Sequence, residues 1–391
     1  MRIVDVCAFY SPDGGGVKTY IDRKLAAGPA AGHEIIVIAP GETTRVEERG
    51  PGARIIYLEQ PRFPLDRKYH YFRDETALHA TLDTLAPDIV EASSPWRSAR
   101  LVGEWKGTAP RVLIMHADPL SAYAYRWFGK VASRDTIDRQ FGWFWRHLLR
   151  LDTQFVATIT AGQSLSDRLA DGGMTNVVTN PMGVADSVFS PTLRDEGLRA
   201  RLLERCALPP TATLLIAAGR HAPEKRWPMV IEAVTAAGGN APVGLVLVGD
   251  GRERAKVVRA AADNPHIHLA SSIGDRMELA RLFASGDGLI HGCEAETFCM
   301  VASEARASGL PLIAPDGGGA ADQARESGGW TYMSGDSSSA AEAIGAFLTS
   351  DKLAVQRQAV ENSSRVRTMD SHFSDLFSYY DALVGPTRRV T

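Results

Sequence analysis

The stretch Gly288-Leu289-Ile290-His291-Gly292-Cys293-Glu294-Ala295-Glu296-Thr297-Phe298-Cys299-Met300-Val301-Ala302-Ser303-Glu304 runs on through Ala305-Arg306-Ala307-Ser308-Gly309 to Pro311-Leu312-Ile313-Ala314. It reads as strand, loop, helix and strand. A helix of small residues joining two short, unbroken apolar runs is the pattern of a parallel βαβ unit whose strands are buried on both faces. Glu296, near the helix start, and Glu304, eight residues on, fall about two turns apart and near one face. An acid at a helix start is favourable by about 0.3–1 kcal/mol, so capping alone accounts for Glu296. Glu304 lies among Val301, Ala302 and Ala305, where a carboxylate needs a partner.

The alternation extends both ways from this unit. Thr213 to Ala218 is a strand ending in Gly219, Pro228 to Ala237 a helix, and Val243 to Val248 a strand ending in Gly249-Asp250-Gly251. Ile267-His268-Leu269 is a further strand. In the N-terminal half, Ile3-Val4-Asp5-Val6, Glu34 to Ala39, Arg54 to Leu58, Asp88 to Glu91 and Arg111 to His116 read as strands, with helices over Lys18 to Ala27 and Tyr71 to Leu85. Two such runs predict an α/β protein with two doubly wound, Rossmann-like domains facing each other across a cleft. The expected boundaries are 1–185 for the N-terminal domain and 186–370 for the C-terminal one. A last helix within 371–391 is expected to cross back to the first domain. Ligands of such sheets bind at the carboxyl ends of the strands.

The size agrees, since 391 residues is about twice a usual domain. With 45% hydrophobic and 23% charged residues, the chain can fill two cores and is not a disordered or fibrous one. A net charge of −3 leaves no basic field, so nucleic acid is not an expected partner. Cys7, Cys206, Cys293 and Cys299 form neither a disulfide framework nor a CxxC pair. Asp5 breaks any secretory apolar core, and the longest apolar runs have strand length. A cytoplasmic enzyme is expected, with peripheral contact at the inner face of a membrane left open.

The E-x7-E spacing, followed by a small-residue helix and a strand, resembles the retaining GT-B glycosyltransferases of family 4. Other pieces match that family in the same order. Gly15-Gly16 follows the first strand, and His116 ends Arg111-Val112-Leu113-Ile114-Met115. Asn180-Pro181-Met182-Gly183-Val184 resembles the domain-linking turn, Gly219-Arg220-His221-Ala222-Pro223-Glu224-Lys225 the Arg/Lys loop, and Gly249-Asp250-Gly251 the GDG loop. Each piece alone is weak, but together they span nearly the whole chain.

The residue chemistry fits. A sugar nucleotide carries a diphosphate that departs with negative charge, and Arg220 and Lys225 offer a guanidinium fork and a point charge for it, although two solvated cations beside Glu224 would look the same. Gly15 and Gly16 would bring backbone amides close to a phosphate at a helix start, where a glycine run alone reads as a flexible loop. The resemblance carries His116 over as a contact to the donor sugar near the reacting carbon, Glu296 to the sugar hydroxyls and Glu304 to the nucleotide ribose. His116, Glu296, Arg220 and Lys225 are thus the candidate catalytic set; Gly15, Gly16, Arg220, Lys225, Gly249, Asp250, Glu296, Thr297, Phe298 and Glu304 are the candidate donor-binding set. Thr297 and Cys299 stand where the family usually has glycine, which leaves the shape of the sugar pocket open. Asp118 either orients His116 or caps a helix. No Asp-x-Asp motif occurs, so no metal and no cofactor is expected.

The segment Tyr123 to Arg150 carries Arg126, Lys130, Arg134, Arg139, Arg146 and Arg150 against Asp135 and Asp138, a balance of +4. Phe141, Phe144, Trp145, Leu148 and Leu149 form an apolar stripe, whereas Trp143 shares a face with arginines. Core packing explains the stripe; Trp143, Arg146 and Arg150 are the candidate contact to an anionic membrane.

The resemblance therefore implies a retaining transferase that moves a hexose from a nucleotide diphosphate sugar to a hydroxyl of a saccharide or lipid-linked acceptor, forming an α-linkage. Similarity to bacterial mannosyltransferases makes GDP-mannose the first expected donor. A nucleotide-sugar epimerase or hydrolase on the same frame, and a non-catalytic nucleotide-sugar-binding subunit, are the competing expectations. An NAD-dependent oxidoreductase would leave the E-x7-E segment unexplained and lacks the third glycine of the dinucleotide fingerprint.

Overall fold

A computed structural model describes residues 1–10, 16–64, 69–118, 120–124, 128 and 133–385. These fall into two compact units, one within residues 1–118, 127–181 and 370–391, the other within 119–126 and 182–369. Gly15, Arg126 and Lys130 lie outside the described residues, as do the side chains of Arg134 and Asp135.

In the first unit the strands are β1 (Arg2–Val6), β2 (Glu34–Gly41), β3 (Arg45–Glu48), β4 (Ala53–Glu59), β5 (Ile89–Ala92), β6 (Arg111–Met115), β7 (Ala157–Thr160) and β8 (Val177–Thr179). They lie in the order β3-β4-β2-β1-β5-β6-β7-β8. All neighbours pair parallel except β3, which returns antiparallel on β4 at the edge. In the second unit β9 (Thr213–Ala218), β10 (Val243–Val248), β11 (Ile267–Ala270), β12 (Gly288–Ile290), β13 (Leu312–Pro315) and β14 (Trp330–Tyr332) lie in the order β11-β10-β9-β12-β13-β14, all parallel. The α/β class and the two parallel sheets agree with the sequence reading.

Unbroken apolar runs form these strands because both faces of each sheet are covered. Leu214, Ile216 and Ala218 of β9 enter one core, and Leu215 and Ala217 enter the other. The second sheet runs outward from β9 through β10 to β11, then returns to place β12 on the other side of β9. At that reversal the loops leaving β9 and β12 diverge to opposite faces and open a crevice, the usual ligand position in such sheets.

The first unit carries buried charge in place of a purely apolar centre. Asp5 of β1 and Glu91 of β5 are register partners on adjacent strands, and both are fully buried. Lys24, from the helix Gly16–Ala30, is also fully buried; its Nζ lies 2.9 Å from Asp5 Oδ2 and in contact with Glu91. Ser93 Oγ donates to Asp5 Oδ1 at 2.7 Å, and the Tyr380 hydroxyl donates to Glu91. Two carboxyl groups thus face one lysine, and each also accepts from a hydroxyl. Removing one member of such a network typically costs about 3–5 kcal/mol, because the partners stay buried without it.

Besides the short segment 119–126, the chain passes between the units at residues 181–182 and 369–370. On the second-unit side, the amide of Val184 donates to Arg367 O and that of Met369 to Val184 O, both at 2.9 Å. A Cβ on Gly183 would lie 2.1 Å from the carbonyl carbon of Thr368, so only glycine allows this approach. The helix Met369–Val384 belongs, from Asp370 on, to the first unit. Besides Tyr380, it supplies His372, whose Nδ1 lies 3.0 Å from Pro181 O.

Candidate active site

The reversal of the second sheet brings Lys225 and Glu296 into contact. Lys225 ends a short 3-10 turn (Pro223–Lys225) in the loop after β9, and Glu296 lies in the loop after β12. Because β9 and β12 are neighbours, the two loops start side by side, and Lys225 Nζ donates to Glu296 Oε1. Glu296 Oε2 lies 3.2 Å from His291 Nε2, which in turn lies 3.6 Å from Cys299 Sγ. Burial alone would raise the Glu296 carboxyl, but the charge of Lys225 and then His291 outweighs it and holds the group well below the usual carboxylate range. Burial alone would lower Lys225, but Glu296, with Cys299 and Cys293, carries it above the usual lysine range. The pair is therefore ionised across the physiological range. It presents an ammonium and a carboxylate at one strand-end crevice: one suits a departing anion, the other accepts hydrogen bonds from hydroxyls.

Arg220 is not part of this contact. Its side chain is 82% exposed and its guanidinium lies 3.8 Å from Glu224. The loop turns it outward because its carbonyl accepts from Trp227 Nε1 at 3.0 Å, which fixes the backbone there. The neighbouring cation that faces the β12 loop is instead the partly buried Arg226, which adopts φ +50° and pairs with Glu294. Sequence reasoning missed this pair, although the adjacent Lys225-Arg226 and the i, i+2 acids Glu294 and Glu296 were the signal.

The glycine loops after β9 and β10 pack directly on each other. A Cβ on Gly249 would lie 2.0 Å from Gly219 O, so the loops after β9 and β10 touch through bare backbone. His221 N donates to Asp250 O at 2.7 Å, and the Asp250 side chain accepts from Gly251 N, also at 2.7 Å. His221 itself is fully buried between these loops, and burial, with Arg254 nearby, lowers its pKa.

Cys299 explains how this chain lives without a glycine at that position. It adopts φ +67°, the left-handed region, as the residue just before the helix Met300–Ala307. Such a conformation costs a residue with a Cβ on the order of 1–2 kcal/mol. Buried Gln323 opposes that cost by donating to the carbonyls of Phe298 and Cys299, the latter at 3.0 Å. Thr297 and Phe298 are partly exposed in the same loop. Glu304 is buried as expected, and its partner is Arg276, whose own side chain is nearly half exposed. His291, Glu296 and Cys299 place one ligand atom each within 4.8 Å of one another, a set able to hold a metal ion.

In the first unit, Gly16 opens the helix Gly16–Ala30 with nothing within 4 Å of where a Cβ would lie. His116 follows β6, and its ring meets Tyr20 edge-on at 4.8 Å between centroids. Burial lowers its pKa to about 4, against the opposing pull of Asp5, so the imidazole is neutral at physiological pH. Asp118 pairs with Arg168, which also reaches Asp138 at 3.3 Å; this ties the loop after β6 to the helices Arg134–Gln140 and Gln163–Asp171. The helix Gly142–Asp152 buries Phe144, Leu148 and Leu151. Leu149, assigned to the apolar stripe, is exposed, because the buried row continues from Leu148 to Leu151 at i+3. Trp143 is 52% exposed, and Arg139, Arg146 and Arg150 are exposed with it.

Two α/β units built on parallel sheets, with glycine loops and paired charges at the strand ends, have the architecture of the GT-B glycosyltransferases. Comparison with known proteins agrees. The "Glycosyl transferases group 1" model matches residues 201–365, and the "Glycosyl transferase 4-like domain" model matches residues 15–183. A GDP-mannose-dependent α-(1-6)-phosphatidylinositol dimannoside mannosyltransferase of Mycobacterium tuberculosis is 33% identical over 80% of this chain and 79% of its own. A GDP-mannose-dependent α-mannosyltransferase of the same species is 32% identical over 82% and 81%. Among solved structures, a sucrose-phosphate synthase from Thermosynechococcus elongatus superposes with a TM-score of 0.73 at 17% identity, covering 98% of this chain and 99% of that one. The chain belongs to the group 1 glycosyl transferases of family 4 and is a glycosyltransferase.

Because the folded His116 pKa lies below its unfolded value, the fold favours the neutral ring. The stability this contributes is present above about pH 6.5 and is lost as pH falls toward 4, on the order of 3 kcal/mol in all. Denaturant unfolding of the wild type is expected to weaken over that window more steeply than that of His116→Gln. Equal slopes would show that His116 is not held neutral by the fold.

Proposed function

We propose that the protein is a retaining α-mannosyltransferase that uses GDP-mannose and a lipid-linked mannosyl acceptor. The contact of Lys225 with Glu296 at the β9/β12 reversal carries this reading. Relatives at 32–33% identity carry GDP-mannose in their names, and one also carries a phosphatidylinositol mannoside acceptor.

In this reading Lys225 stabilises the departing diphosphate, and the bare backbone at Gly16 and in the Gly249-Asp250-Gly251 loop lets its oxygens approach closely. Arg220 is long and solvent-exposed, and closes on the diphosphate when donor binds. Glu296 accepts hydrogen bonds from the mannose hydroxyls, Thr297 and Phe298 form the adjoining wall, and Glu304 receives the ribose hydroxyls. Neutral His116 donates to the donor sugar near its anomeric carbon without adding a positive charge beside a developing oxocarbenium. Departure and attack occur on the same face, with the leaving diphosphate as base for the acceptor hydroxyl. In this reading no metal is needed, because Arg220 and Lys225 supply the positive charge.

Among the described residues no helix is long and apolar enough to cross a membrane. Trp143, Arg146 and Arg150 form the face that meets anionic lipid, where a lipid-linked acceptor is presented.

Calorimetry in metal-free buffer tests the donor assignment. GDP is expected to bind more tightly than UDP or ADP, and Arg220→Ala/Lys225→Ala to weaken it at least about 100-fold, the size of two charge-assisted contacts. Failure of all three nucleotides to bind would overturn the reading. Sedimentation with phosphatidylglycerol-containing vesicles tests the lipid face: the wild type is expected to pellet and Trp143→Ala/Arg146→Ala to remain in solution. Equal pelleting would remove the face from the account.

A further inference from the structure

The cluster at the end of β12 contains more than a transferase of this kind needs. His291 and Cys299 are buried, at 1% and 4% exposure, and neither belongs to the donor contacts proposed above. Their polar atoms converge on Glu296 Oε2, a buried carboxylate oxygen without a well-directed hydrogen bond. We propose that His291 Nε2, Glu296 Oε2 and Cys299 Sγ form a binding site for a thiophilic divalent cation of the zinc type.

The distances support a cation. Zinc binds nitrogen and oxygen at about 2.0–2.2 Å and sulfur at about 2.3 Å in a tetrahedron, so its ligand atoms lie roughly 3.3–3.7 Å apart. The observed separations are 3.2 Å from His291 Nε2 to Glu296 Oε2 and 3.6 Å from His291 Nε2 to Cys299 Sγ. All three atoms lie within 4.8 Å of one another. One nitrogen, one oxygen and one sulfur make a donor set for zinc, cobalt or cadmium and a poor one for magnesium or calcium. Glu296 is able to serve both partners, because Lys225 holds Oε1 and leaves Oε2 to the cation.

Binding replaces the S–H bond of Cys299 with a metal–thiolate bond and releases the proton to solvent. Thiolate and carboxylate then balance the cation's two charges, and Lys225 leaves the site at +1 with its fourth position open. Because binding releases that proton, it tightens as pH rises. His291 Nδ1 is buried without a partner, and the ring lacks the second contact that orients ligands in the tightest sites, so micromolar rather than nanomolar affinity is expected. A cation here occupies the carboxylate assigned above to the donor sugar. The inhibition that follows rests on that assignment; the cation site itself does not.

Cobalt titration of the chelator-treated full chain provides the test. A thiolate-to-cobalt band in the near ultraviolet is expected to saturate at one equivalent and to be bleached by zinc. Cys299→Ser is expected to abolish the band and Glu296→Gln to weaken binding at least tenfold, while Cys293→Ser, which removes the neighbouring thiol, retains it. Absence of the band in the wild type, or a band that survives Cys299→Ser and disappears with Cys293→Ser, would overturn the proposal. Should Cys299→Ser not fold, Glu296→Gln and Cys293→Ser decide by the same criteria. A cobalt band without nucleotide binding would remove the donor reading and keep the cation site; nucleotide binding without a band would do the reverse.

Discussion

The reversal of strand order beside β9 is the constraint on which the second unit depends. β9 is flanked by β10 on one side and β12 on the other, so the loops leaving three parallel strands begin within two strand spacings of each other. Arg220, Lys225, Asp250, Glu296 and Glu304 are all on one of those loops or on the helix that follows. The ion pair of Lys225 and Glu296 links residues 71 apart in sequence across this seam. Its position follows from topology, and its ionisation follows from mutual proximity that outweighs burial.

The first unit solves a different problem. Asp5, Glu91 and Lys24 place three ionisable groups in the middle of a parallel sheet and its first helix, and Tyr380 of the final helix completes them. The last helix is thus tied by a charged hydrogen bond to the centre of the first unit, after the chain has already built the second. The same cluster sets the environment of His116, whose pKa responds to both Asp5 and Lys24. Fold support and a candidate catalytic group therefore share one electrostatic network.

Much of the fold was legible because buried parallel strands leave unbroken apolar runs between glycine turns, and β1, β2, β9, β10 and β12 could be read that way. The strand β3 could not: Arg45-Val46-Glu47-Glu48 is an exposed edge with three charges in four residues, held by its antiparallel register on β4. β8 and β14 are as short as β12 but, unlike it, are only partly buried and lack its apolar run. At the site, the E-x7-E spacing located Glu296 and Glu304 and required a partner for the latter, but not which one; Arg276 is 28 residues away in sequence. The pairing of Lys225 rather than Arg220 with Glu296 was beyond sequence reasoning, since it depends on a backbone path fixed by Trp227. Asp5 and Glu91 were visible as lone acids in apolar strands, yet only their register as neighbours shows why both are tolerated.

The central claim is that Lys225 and Glu296 act on the donor. Release of GDP from GDP-mannose in the presence of a phosphatidylinositol mannoside, followed by phosphorus NMR, examines it directly. The account predicts release by the wild type, loss of at least about 100-fold in Lys225→Ala, and a comparable loss in Glu296→Gln, in line with removal of one charge-assisted contact to a reacting group. Release that persists at the wild-type rate in both variants would contradict it.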